Sequence, residues 1–196
     1  GDPPPPAPED EPTEEPPEEV ALNLTFKVTC SMLEIYNERV RDLFNMKSGG
    51  PGGLKVRTHK KKGPYADGLS QEPVAHYAAV EKLMKRGIRA RTVAATAMNA
   101  TSSRAHTIFQ IIMTQTRVDR KKGKATDRVS KLSLIDLAGS ERQSKTKASG
   151  DRLKEASAIN QSLSALGNVI SVLADKATKK GKRVQKMVVP YRSSKL

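Results

Sequence analysis

At 196 residues and 21.4 kDa the chain has room for one domain of ordinary size and excludes a three-domain architecture. Its 35 Lys and Arg against 21 Asp and Glu give a net charge of +14, but residues 1–20 hold eight acidic side chains, eight prolines and no Lys or Arg, so residues 21–196 carry +22. A body so positive attracts a polyanion, whether nucleic acid, an acidic protein surface or a phosphate ligand. The single cysteine, Cys30, rules out an internal disulfide and a cysteine-based zinc cluster and suits a reducing compartment. No apolar run approaches the roughly 18–20 residues of a membrane helix, and no signal peptide is recognisable, so a soluble intracellular protein is expected.

In chain order, residues 1–20 cannot form a core, because Pro, Asp and Glu supply sixteen of them. They read as a disordered acidic arm; a competitor that folds back on the basic body is the alternative. From Leu24 the apolar residues alternate through Phe26, Val28, Cys30 and Met32, the pattern of a strand. Leu33, Ile35 and Tyr36 continue it, and Val40, Leu43 and Phe44 then fall at helical spacing. Ser48-Gly49-Gly50-Pro51-Gly52-Gly53 breaks the chain into a loop. Leu54-Lys55-Val56-Arg57 suggests a short edge strand, followed by Lys60-Lys61-Lys62 and a turn at Gly63-Pro64. Tyr77, Val80, Met84, Ile88 and Val93 predict a helix. Residues 108–113 and 132–135 are apolar on both faces and read as buried central strands, with Arg117, Arg120, Lys121, Lys122, Gly123 and Lys124 forming a basic hairpin-like loop between them. Ala156, Ile159, Leu163, Leu166, Ile170 and Leu173 predict a long helix with one core face. Strands alternating with helices argue for an α/β fold with a mixed sheet.

Two segments carry chemistry. Leu134-Ile135-Asp136-Leu137-Ala138-Gly139-Ser140-Glu141 ends an apolar strand in a carboxylate and turns through glycine, at the sheet end where α/β folds bind ligands. In nucleotide hydrolases an Asp there holds the Mg²⁺ shell and a glycine lets a backbone N–H approach the terminal phosphate; alone, the pattern is equally an ordinary capped turn. Asn99-Ala100-Thr101-Ser102-Ser103-Arg104-Ala105-His106 is crowded with hydroxyls and carries one Arg, suited to meeting a phosphate, a metal-bound water and a carboxylate. Ser103 and His106 invite comparison with a hydrolase dyad, but no oxyanion turn or orienting acid accompanies them.

Together the two segments resemble the switch loops of the kinesin motor family. Asn99-x-x-Ser102-Ser103-Arg104-x-His106 is similar to the first and Asp136-Leu137-Ala138-Gly139-Ser140-Glu141 to the second, in the same order and separation. Residues 33–43, Gly63-Pro64-Tyr65-x-x-Gly68-Leu69, residues 160–167 and residues 189–196 are similar to the family's central strand, the segment before its third helix, its microtubule-facing helix and the start of the next. The similarity spans about Phe26 to Leu196, and the wording near Thr92 and the lysine-rich loop most resemble the vesicle-transport branch.

The resemblance implies a partial kinesin-type motor fold of the α/β class, with a mixed central sheet and flanking helices, in residues 21–196. Asn99, Ser102, Ser103 and Gly139 would bind nucleotide, Ser103 and Asp136 the Mg²⁺ shell, and Arg104 and Glu141 would pair to close the switches. ATP and Mg²⁺ are the implied cofactors, and the microtubule is the implied partner, in the cytoplasm and on the cytoskeleton. Lys176, Lys179, Lys180, Lys182, Arg183 and Lys186 crowd six charges into eleven residues after the track-facing helix. By itself such a run is a solvated loop. The resemblance makes it a tether to the track, extended by Lys145, Lys147, Arg152, Lys154, Tyr191 and Arg192.

The sequence departs from the family in three ways. Ala105 stands where the family usually has serine, which implies slower hydrolysis. No Gly-x-x-x-x-Gly-Lys-Ser/Thr occurs, and residues 49–55 have neither its spacing nor its hydroxyl. The chain ends inside the family's next helix, so the implied protein is a portion of a motor without its phosphate loop and C-terminal helices. The expectation is a motor portion inactive alone. The alternatives are a degenerate kinesin-like chain that binds microtubules without hydrolysing ATP, and a basic nucleic-acid binder. Against the last, aromatic content is only 4%, and the basic clusters carry no interleaved aromatics for base stacking, so no DNA or RNA partner is expected.

Overall fold

The computed structural model describes residues 23–60, 63–97, 104–119, 123–139, 151–179, 181 and 186–196. The alternating run becomes strand β1, Asn23–Tyr36. Strand β2, Arg39–Asp42, follows after a two-residue turn, with Tyr36 opposite Arg39. Strands β3 (Val56–His59) and β4 (Gly63–Ala66) form a separate hairpin, and the short β5 is Glu72–Val74. Helix α1 spans Tyr77–Ala97, and strands β6 (His106–Asp119) and β7 (Lys124–Asp136) form a long hairpin. Helix α2 spans Asp151–Thr178.

The main sheet has the order β2-β1-β6-β7, with β5 sharing the β2 edge of β1; every described ladder is antiparallel. Because successive side chains of a strand face opposite ways, the two faces of β1 build two cores. Cys30 and Met32 join Leu43 and Phe109, and Val80, Leu83, Met84 and Ala90 of α1 cover them. Ile35 joins Val40 and Leu54 on the other side, with Leu33, Ile108 and Leu196 packed around them. At Gly87 helix α1 lies so close to β1 that a Cβ would stand 2.1 Å from Met32 Sδ. A side chain there would require the end of Met32 to move.

Four expectations change. Val40 and Leu43 do not continue into a helix: Asn37 and Glu38 both take positive φ, 49° and 57°, which folds the chain straight back into a hairpin. Gly63 and Pro64 do not make a turn but open β4. β7 is not a buried central strand, since every described residue of it is exposed. It is an edge strand, and its apolar positions Val129, Leu132, Leu134 and Ile135 have no covering layer among the described residues. The stripe on α2 is likewise only partly covered: Ser162 and Ala165 are buried, while Ile170 and Leu173 are exposed. Leu24 and Phe26, at the far end of β1, are exposed as well. In β7, α2 and the start of β1 the apolar pattern is real, but no neighbour among the described residues covers it.

Candidate functional site

Antiparallel pairing brings distant segments to one end of the sheet. Ile35 lies opposite His106 and Thr107 opposite Asp136, so the β1–β2 turn, the start of β6 and the exit of β7 sit side by side. Across that end Glu34, Thr107 and Asp136 occupy one register row on adjacent strands. Arg91 of α1 donates to Asp136 at 2.8 Å. Arg41 stands 3.6 Å from Glu34. Burial pushes the Glu34 carboxyl above its ordinary value, against the opposing pull of Arg41 and Arg91. Thr107, between the two carboxylates, buries its hydroxyl oxygen with no hydrogen-bond partner among the described residues.

His106 begins β6 and is buried, and both its nitrogens are engaged. Nδ1 accepts the Ala138 N–H at 3.1 Å, and Nε2 lies 2.8 Å from Ser162 Oγ on α2. Ser162 in turn donates to the Ile159 carbonyl at 2.7 Å. Burial lowers the imidazole pKa, with Glu38 and Asp136 pulling the other way. A serine–histidine hydrogen bond does exist, but it joins His106 to Ser162. Both Oγ and ring lie inside the protein, and both are occupied in packing strand to helix, so no nucleophile is presented.

Arg104 and Glu38 line a cleft with Asn37, His106, Ile159 and Ser162. Glu38 also accepts from Ser194 Oγ at 2.5 Å and from the Lys195 backbone N–H at 2.8 Å. The last residues of the chain are thereby held against the β1–β2 turn. Asp42, although buried, is a structural carboxylate: its two oxygens accept the backbone N–H groups of Phe44, Asn45 and Ser70.

Of the sequence-predicted site residues, Asp136, Gly139 and Arg104 stand at this sheet end. Asn99, Ser102, Ser103 and Glu141 lie outside the described residues, as do Lys145, Lys147, Lys180, Lys182 and Arg183. Arg152 and Lys154 fall in the first turn of α2. Lys176 sits in its last turn, and Lys179 just beyond is paired with Asp175 at 2.9 Å. Lys186, Tyr191 and Arg192 are exposed. Sequence reasoning missed Arg91 and the bridging role of Ser162. Arg91 had a signal, since it follows Val80, Met84 and Gly87 at helical spacing and so belongs to the face that α1 turns to the sheet.

The model of the kinesin motor domain family matches residues 10–196. The chain belongs to the kinesin motor domain family. Kinesin-like protein KIF13A of Mus musculus is 58% identical over 172 residues, covering 88% of this chain and 10% of that protein. Kinesin-related protein 1 of Dictyostelium discoideum is 52% identical over 87% of this chain and 8% of its own length. Among solved structures, a fast kinesin superposes with a TM-score of 0.69 at 43% identity, covering 88% of this chain and 45% of that one. The KIF14 dimer with AMP-PNP in complex with a microtubule gives 0.70 at 39% identity, covering 87% and 47%. The kinesin-type chain thus spans about a tenth of the curated relatives it matches and less than half of these solved chains. Its architecture is a partial kinesin motor fold.

Proposed function

We propose that this chain is a portion of a microtubule-based, ATP-driven motor that carries both nucleotide switches and the track-binding helix and loop. One observation carries the reading: His106, two residues after Arg104, meets the Asp136–Gly139 turn at a single end of the sheet, with 3.1 Å between His106 Nδ1 and the Ala138 amide. Two loops that must answer to one ligand have to converge, and their described flanks do. The chemistry suits Mg²⁺: the Asp136 carboxylate, exposed on 66% of its side chain at a strand end, is the kind of oxygen donor that takes a cation keeping several of its waters. When bound, ATP would supply the γ-phosphate whose charge the switches would sense, and Mg²⁺ would offset part of that charge.

The protein's own residues do the rest. Ser103 and Asp136 would hold the metal's water shell, Ser102 and Asn99 would bind the nucleotide, and the Gly139 N–H would donate to the terminal phosphate. Arg104 pairs with Glu141, an Arg fork matching a carboxylate in a desolvated cleft. Arg91 holds one oxygen of Asp136 at 2.8 Å and so would fix the orientation of the carboxylate. α2 and the lysine-rich loop after it meet the acidic surface of a microtubule, an electrostatic contact that speeds association and fades with salt.

ATP turnover with microtubules tests this. The 196-residue chain is expected to show none, because it lacks the cradle and Lys that grip the phosphates. The same residues in a chain that includes a phosphate loop should turn over, and Gly139→Ala should abolish the stimulation. Turnover by the short chain that Gly139→Ala removes would overturn the need for that cradle; an inert longer chain would overturn the motor reading. Ala105, buried where the family usually has serine, favours one second reading, a track binder with weak or no hydrolysis. Microtubule co-sedimentation without turnover in the longer chain would select it.

A further inference from the structure

We propose that His106 is a positioning residue that pins the Asp136–Gly139 turn to helix α2, so that the turn and the helix shift together. The proposal deepens the motor reading, and on that reading it names the link between phosphate sensing at Gly139 and the track-facing helix.

The hydrogen-bond directions leave no freedom. The Ala138 amide can only donate, so Nδ1 must be the unprotonated ring nitrogen. The neutral ring then carries its proton on Nε2, which donates to Ser162 Oγ, and the serine's proton goes to the Ile159 carbonyl. A single directed chain therefore runs from the backbone of the β7 exit, through one imidazole, into the backbone of α2. His106, Ala138 and Ser162 are each 5% exposed or less, so water cannot replace a link that breaks. A shift of either end by an ångström strands a buried polar group, which makes independent movement of turn and helix costly. The pinned amide, Ala138, immediately precedes Gly139. Fixing it aims the next peptide N–H.

An ordinary core histidine would stabilise the fold without coupling these two elements, and the test separates the possibilities. In the 196-residue chain, ¹⁵N NMR of the imidazole should show a single Nε2–H tautomer at His106; an Nδ1–H tautomer or a mixture overturns the proposal. Ser162→Ala leaves His106 in place and removes the helix link. It should speed amide exchange at Ala138, on the far side of the ring, by roughly five- to tenfold, the loss of about one net hydrogen bond. A change confined to α2 overturns it. Two histidine variants divide the functions, since Asn places its oxygen near Nδ1 and Gln its amide near Nε2. His106→Asn should keep Ala138 protected and loosen residues 159–162, and His106→Gln should do the reverse. None of these readouts needs nucleotide, so loss of the motor reading and loss of the pin are distinguishable. In a longer chain with a phosphate loop, Ser162→Ala should lower the microtubule-stimulated rate, with His106→Asn falling equally; stimulation unchanged in both overturns the coupling.

Discussion

Gly87→Ala tests how α1 is seated on the sheet, because two effects of known size oppose each other there. Alanine is worth about 1 kcal/mol over glycine inside a helix. Against that, the new Cβ would stand 2.1 Å from Sδ, 3.3 Å from Cγ and 3.4 Å from Cε of Met32. Ordinary carbon contacts lie at about 3.5–4.0 Å, so the sulfur must retreat by roughly 1.5 Å. Methionine is flexible, but Met32 is 4% exposed and locked against Cys30, Leu43 and Phe109. Overpacking of this kind costs about 1–3 kcal/mol, which leaves Gly87→Ala about 1 kcal/mol less stable than the parent. Met32→Ala alone should cost about 2–5 kcal/mol through the cavity it opens. In that background the clash is gone, and Gly87→Ala should now stabilise by about 1 kcal/mol. Urea unfolding followed by far-ultraviolet circular dichroism measures all four proteins. The sign reversal is the signature. Equal stabilisation by Gly87→Ala in both backgrounds would refute the close approach of α1 to β1. Since α1 leads to residues 98–103, its seat bears on the segment proposed as the first switch loop.

Replacing Lys179, Lys180, Lys182 and Arg183 with Ala should weaken microtubule co-sedimentation about tenfold at low salt, given roughly 0.2–1 kcal/mol per exposed pair, and the deficit should close as salt rises. Lys179 should contribute least, because Asp175 already neutralises it; unchanged binding removes the tether assignment. His106 has its pKa lowered from the ordinary 6.5 by burial, so the unfolded chain takes up its proton first. Stability is therefore full above pH 6.5 and falls as pH drops below it toward the folded value, a decline that His106→Gln should remove in urea titrations at successive pH. Glu38→Gln should speed amide exchange at Lys195 while leaving the β1–β2 ladder protected; equal loosening of both would show that the C-terminal residues are held by packing alone.

Much of this was legible in the residues. The alternation of β1 and the period of α1 each placed an element where the structure has one, whereas Arg117 and Lys124, read as loop, belong to β6 and β7, and residues 120–122 lie outside the described residues. Asp136 at a strand end and Gly139 after it needed only local pattern. What failed was inference about neighbours. Val40, Leu43 and Phe44 have helical spacing, but two left-handed residues at Asn37 and Glu38 decide the outcome, and neither is glycine. The apolar run of β7 implies burial only if something lies beyond it, and a strand carries no mark of that. Arg91 and Ser162 were passed over because their partners, Asp136 and His106, are 45 and 56 residues away. Spacing cannot report a contact that antiparallel pairing creates.

The turn at Glu38 has a consequence for anyone wishing to stabilise this protein. A left-handed backbone at a residue with a Cβ costs about 1–2 kcal/mol, and glycine would relieve it. Glu38→Gly is thus the substitution that a search for thermostability would choose first, judged on backbone angles alone. It would also delete the carboxylate that clasps Ser194 and the Lys195 amide and lines the same cleft as Arg104. The strained hairpin is the toll for placing a negative charge at that spot, and a hardier variant selected there would be one whose C-terminal residues had come undone.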